Sequence, residues 1–153
     1  MNTERQEHST EARLLAALAH GSMMLQGIGV LVGVVVYSNQ RDKSRYAAFQ
    51  GLQAAVFQLI TLLGVVGMWI CWGIYYTYAT IVLIQQIETM GDETLPTIFW
   101  VSNGSMIIPF GLMMLLGGYG LWGAWQCWQG KDFRYQIVGG WLERSGLWKK
   151  NEV

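Results

Sequence analysis

From Leu14 to Gln40 the chain runs for 27 positions without a charged side chain, and about 20 apolar residues let a helix cross a bilayer core. This run predicts a first span over about 14–37. Between Arg45 and Lys131 the only charges are Glu88, Asp92 and Glu93, leaving two more uncharged blocks, Tyr46 to Ile87 and Thr94 to Gly130. The first of these has 42 positions, about 63 Å as a helix, against a hydrocarbon core of about 30 Å. Part of it must therefore lie outside the core. In a three-span arrangement the block crosses at 54–78, with Tyr46–Gln53 in the inner interface, and the last span covers 105–128. Residues 79–104 then form an outer elbow. A four-span arrangement folds the middle block back within Gly64–Gly73, a segment without Asn, Asp, Pro or Ser to satisfy freed backbone groups. The missing turn chemistry, together with polar Gln50 and Gln53, favours three spans.

The predicted fold class is thus all-α: a polytopic helical membrane protein with three transmembrane helices, four being the alternative, and a C-terminal interfacial helix. With the amino terminus outside, three spans place eight of the ten Lys and Arg residues inside, and four spans place seven there. This gives an amino terminus outside and a carboxyl terminus inside. The polar head, 1–13, is not a secretory signal, because Glu4, Glu7 and Glu11 outnumber Arg5 and Arg13 and the following apolar run is too long. The membrane domain is 14–130. A basic tail, 131–153, places Ile137, Val138, Trp141, Leu142 and Trp148 on one helical face beside Arg144, Lys149 and Lys150, the pattern of a helix lying on an anionic leaflet.

Within span one, Ala17, Gly21, Gly29 and Gly33 recur at helical spacing, with Leu25 completing the row. Gly29-Val-Leu-Val-Gly33 is a G-x-x-x-G motif, whose small residues let helix backbones approach closely. The groove fits packing within the chain or against a second copy. Trp69, Trp72, Tyr75, Tyr76 and Tyr78 cluster towards one end of span two, and Trp122, Trp125 and Trp128 towards the other face on span three. Both groups read as interfacial belts. Pro109 predicts a kink.

Composition agrees with a lipid solvent: 52% of residues are hydrophobic and 13% charged, against about 25% charged in an ordinary soluble domain. Ten basic residues balance ten acidic ones, which removes the electrostatic argument for a nucleic-acid partner. Cys71 and Cys127 have no metal-type spacing and fall near opposite faces, so no intramolecular disulfide is expected. His20, placed near the outer boundary, suits a hydrogen-bonded structural role better than haem or pigment ligation, which would call for a second membrane histidine. No catalytic or phosphate-binding motif occurs, so neither catalysis nor a cofactor is expected. The expected partners are the bilayer and either a membrane protein or another copy of the chain. The residues point to a noncatalytic protein working through helix contacts, as an accessory subunit or assembly factor. The alternative is an oligomeric small-solute or ion transporter, since scattered Ser22, Gln26, Gln58, Thr61 and Thr77 make no pathway in one copy.

Three stretches, Glu11-Ala-Arg-Leu-Leu-Ala-Ala-Leu-Ala-His20, Arg45-Tyr-Ala-Ala-Phe-Gln-Gly-Leu-Gln-Ala54 and Gly130-Lys-Asp-Phe-Arg-Tyr135, resemble one family. It is the bacterial group related to the twenty-kilodalton subunit of the chloroplast inner-envelope import translocon, the Tic-twenty-like proteins. Gln50 stands where that pattern has His, and Gln136 where it has Pro. The resemblance implies a polytopic inner-membrane protein with a part in protein translocation or complex assembly. Carried over residue by residue, its motif positions are Arg45, Phe49, Gln50, Gln53, Ala54, Gly130, Phe133, Arg134 and Tyr135.

Overall fold

The structure, a computed structural model, describes residues 8–90 and 95–145. Those residues are helical and include no strand: α1 (Thr10–Gly21), a 3-10 turn (Ser22–Leu25), α2 (Gly27–Gln40), α3 (Arg45–Met90), α4 (Thr97–Gly104), α5 (Ile107–Trp128) and α6 (Val138–Arg144). Asp92 and Glu93 of the expected elbow, the head before His8, and Trp148, Lys149 and Lys150 lie outside the described residues. Two stretches are long and apolar enough to cross a membrane, Arg45–Thr89 and Thr97–Trp128. Only 22% and 11% of their most apolar windows are buried within the chain, whereas the core helix of a water-soluble domain hides most of its apolar surface. Lipid is the solvent that suits them.

Span one, expected as a single helix over 14–37, is two helices. Ser9 opens α1 by accepting a hydrogen bond from the Ala12 N–H at 3.2 Å, a side-chain N-cap. The helix ends where Ser22 Oγ turns back onto the Ala19 carbonyl at 2.8 Å. Gln26 then takes φ 53° and the chain reverses. Leu15 and Ala19 of α1 pack against Val32 and Val36 of α2, so α1 and α2 form an antiparallel hairpin.

The middle block follows its sequence. α3 has 46 residues, about 69 Å at helical rise, and passes unbroken through Gly64–Gly73, where turn-forming side chains are lacking. The kink expected at Pro109 appears as a break at Ser105 and Met106, between α4 and α5. Proline lacks an N–H and its ring clashes with the carbonyl four residues earlier, here that of Ser105. Pro109 itself sits in the first turn of α5, where a missing N–H costs nothing.

The chain divides into two compact units, residues 1–62 with 116–153, and residues 63–115. In the first, Ala12, Ala16, Tyr46, Ala47 and Cys127 form one core cluster. Phe49, Tyr135, Val138 and Leu142 form another. The expected apolar face of the tail is therefore divided: Val138 and Leu142 turn inward, while Ile137 and Trp141 are exposed. In the second unit Trp69 packs edge-on against Trp72 and Phe110, Trp72 stacks on Tyr76, and Trp72 Nε1 donates to Ser105 Oγ at 3.1 Å.

Candidate functional site

In the first unit α1, α3 and the segment after α5 meet around His20, which is wholly buried. Its Nε2 lies 2.9 Å from Gln50 Oε1 and its Nδ1 lies 3.0 Å from the Tyr135 hydroxyl. The proton positions follow from the neighbours. Gln50 Nε2 donates to Asp132 Oδ1 at 3.1 Å and to the Phe133 carbonyl at 3.0 Å, so Gln50 Oε1 is free to accept. His20 therefore carries its proton on Nε2, and in the neutral ring Nδ1 accepts from Tyr135. Burial pushes the Tyr135 phenol well above its ordinary pKa, which keeps that donor protonated.

Gln53 closes the network. Its Nε2 donates to Gln50 Oε1 and to the Phe133 carbonyl, both at 2.7 Å. Its Oε1 accepts from the Tyr135 N–H at 3.4 Å. Every polar atom of both glutamines thus has a partner, the condition for burying them without a penalty. The Tyr135 ring stacks on Phe57 with centroids 3.8 Å apart. At the rim, Arg134 donates to Asp132 Oδ2 at 3.0 and 2.7 Å, reaches Glu143 of α6 and lies over the Phe49 ring. The hydrogen bond to Asp132 is the chief cause raising the Arg134 pKa.

The remaining singled-out residues fall around this centre. Ala54 is buried with Ala19 and Val36. Gly130 turns the chain out of α5 at φ 75°. Arg45 is exposed at the start of α3. Ala17 packs against the cluster of Ala12 and Tyr46. The row of small residues does not share one face, because the hairpin divides it. A methyl on Gly21 would stand 3.8 Å from Ala124 of α5, whereas one on Gly33 would fall 2.8–2.9 Å from Ala55 and Gly51 of α3. One on Gly29 would fall 2.4 Å from Ser22 O and from Gln58 Oε1.

Gln58 and Ser22 did not stand out in the sequence as a pair. Gln58 Nε2 donates to the Ala19 carbonyl at 2.8 Å, while its Oε1 has no hydrogen-bond donor among the described residues and occupies the space that a side chain on Gly29 would need. The available signal was the run of glutamines at 50, 53 and 58 in an otherwise apolar block. A second expectation is corrected here. His20 was placed near the outer boundary and Gln50 in the inner interface, some 30 Å apart across a bilayer, yet their side chains are hydrogen-bonded.

The pattern of the magnetosome magnetite crystal formation protein family, MamF/MmsF, matches residues 11–142. The chain belongs to this family. The matched range contains all three stretches on which the Tic-twenty-like resemblance rested, and it corrects that resemblance: the family is a different one. The expectation of a part in protein translocation rested on the same likeness and falls with it. No curated protein and no solved structure matches the chain.

Proposed function

We propose that this chain is a noncatalytic protein of the magnetosome membrane that takes part in magnetite crystal formation through helix contacts. The observation that carries this reading is the family match over 11–142, which takes in the hairpin, both long helices and the polar network. The network supports a role through contacts, because its donors and acceptors are spent on one another and on holding three segments together.

For the membrane arrangement we infer two full crossings, about 54–78 of α3 and 107–128 of α5, with the α1–α2 hairpin entering and leaving by one face and α6 lying in that interface. The stretch from Ile107 to Gln126 is 20 residues, about 30 Å of helix, and matches the hydrocarbon thickness. The His20–Gln50 bond and the packing of Ala12 and Ala16 on Tyr46 and Cys127 favour an amino terminus on the same face as Arg45 and Lys131. All ten Lys and Arg residues then fall on one side by sequence position, against eight with the amino terminus opposite. The elbow over 79–104 takes the other side with Glu88, Asp92 and Glu93. This arrangement replaces the outward amino terminus expected from the sequence.

Deleting the gene from a magnetite-forming host and restoring it tests the role. Electron microscopy should show altered crystal sizes on deletion, restored by the wild-type chain, with the protein recovered in isolated magnetosome membranes. Unchanged crystals in the deletion strain would sink the reading.

A further inference from the structure

We propose that Arg13, resting on Gly130 beside Lys131, forms a site for a phosphate group, offered either by a lipid headgroup or by a free phosphate anion. Arg13 is half-buried, its Nε is shielded from solvent, and that nitrogen has no hydrogen-bond acceptor among the described residues. Arg13 takes no part in the ion pairs of Arg41 with Asp42 and of Arg134 with Asp132 and Glu143. A buried charged donor without an acceptor is costly, and a guanidinium fork fits a phosphate through paired hydrogen bonds.

Several features hold the fork in place and leave it unclaimed among the described residues. Gly130 has φ 75°, and a Cβ there would lie 2.9 Å from Arg13 Cδ and 3.4 Å from Nη1. The arginine stem is thus laid across a bare backbone, which fixes where its head can go. Asp132, two residues beyond Gly130, is committed elsewhere: Oδ1 accepts from Gln50 and Oδ2 from Arg134. The end of α5 does not need Arg13 as a cap either. The carbonyls of Trp125, Gln126 and Cys127 accept the N–H groups of Gln129, Lys131 and Gly130, and the Tyr46 hydroxyl adds a bond to Cys127 O at 3.3 Å and to Lys131 O at 3.0 Å. Lys131, exposed at the rim, supplies a second positive charge. The site does not depend on the role in crystal formation.

The test uses the purified full chain in detergent, with lipid retention read by native mass spectrometry and phosphate binding read by thermal shift. Phosphatidylglycerol, phosphatidylcholine and inorganic phosphate are the three probes. If a lipid headgroup is the source, the wild type retains phosphatidylglycerol over phosphatidylcholine, and Arg13→Gln weakens that retention about tenfold. Arg13→Lys recovers part of it, and Arg41→Gln leaves it unchanged. If free phosphate is the source, inorganic phosphate raises the melting temperature of the wild type and not of Arg13→Gln, with no preference between lipids. Lys131→Gln reports on the same site should Arg13→Gln fail to fold. Binding of all probes unchanged in Arg13→Lys and Lys131→Gln, or a loss in Arg41→Gln as large as theirs, would overturn the proposal.

Discussion

At the scale of single residues, His20 is the hinge of the network because it joins α1 to α3 through one nitrogen and to the segment after α5 through the other. Removing only the Tyr135 hydroxyl leaves its ring on Phe57 and deprives His20 Nδ1 of its donor. Tyr135→Phe is therefore expected to lower stability by about 1–2 kcal/mol. His20→Ala removes both hydrogen bonds and the buried ring, with an expected loss of about 2–4 kcal/mol. Unfolding of the detergent-solubilised protein, followed by circular dichroism, measures both; equal stability of wild type and His20→Ala would mean the network holds nothing together. Arg134 belongs to the rim and is partly exposed, so its pairs with Asp132 and Glu143 are screened and worth less than the buried bonds.

At the scale of elements, the hairpin depends on a close approach and on one unusual backbone conformation. Gly33 meets backbone atoms of α3 at a distance where a methyl cannot fit, so Gly33→Ala must push α2 away and is expected to cost about 1–3 kcal/mol. Gly64, with open space around its would-be Cβ, is the control: Gly64→Ala is expected to be neutral or to stabilise by up to about 1 kcal/mol through helix propensity. The same unfolding measurement separates the two, and a Gly33→Ala protein as stable as Gly64→Ala would refute the packing account. Gln26 holds the reversal at φ 53°, a region that strains any residue with a side chain. Gln26→Gly is expected to raise the melting temperature, whereas Gln26→Val lowers it; the opposite order would mean that the reversal lies elsewhere.

For the whole molecule, the two-crossing arrangement predicts that both termini face the cytoplasm and that the acidic elbow faces away from it. Fluorescent-protein fusions at either end should both fluoresce. A cysteine introduced at Asp92, in a background with Cys71→Ser, should react with a membrane-impermeant maleimide from the opposite side. A dark amino-terminal fusion paired with a bright carboxyl-terminal one would restore the outward amino terminus and break the arrangement. The same arrangement puts His20 and Gln50 at one depth, as their hydrogen bond requires.

The sequence alone determined the helical class and the apolar length of the two long helices, because uncharged length and helical spacing are local properties that no distant partner can alter. It also determined that α3 runs straight through 64–73, since that segment lacks the side chains a turn in lipid requires. Only the tertiary structure decided that 14–40 is a hairpin, that the small residues of that run serve different neighbours, and that His20 meets Gln50. Nothing within the run marks the reversal strongly. What makes it affordable lies across the fold, where Gln58 of α3 satisfies the Ala19 carbonyl and bare Gly29 and Gly33 let the returning helix come close, so the physical cause is a contact between segments that local pattern cannot encode.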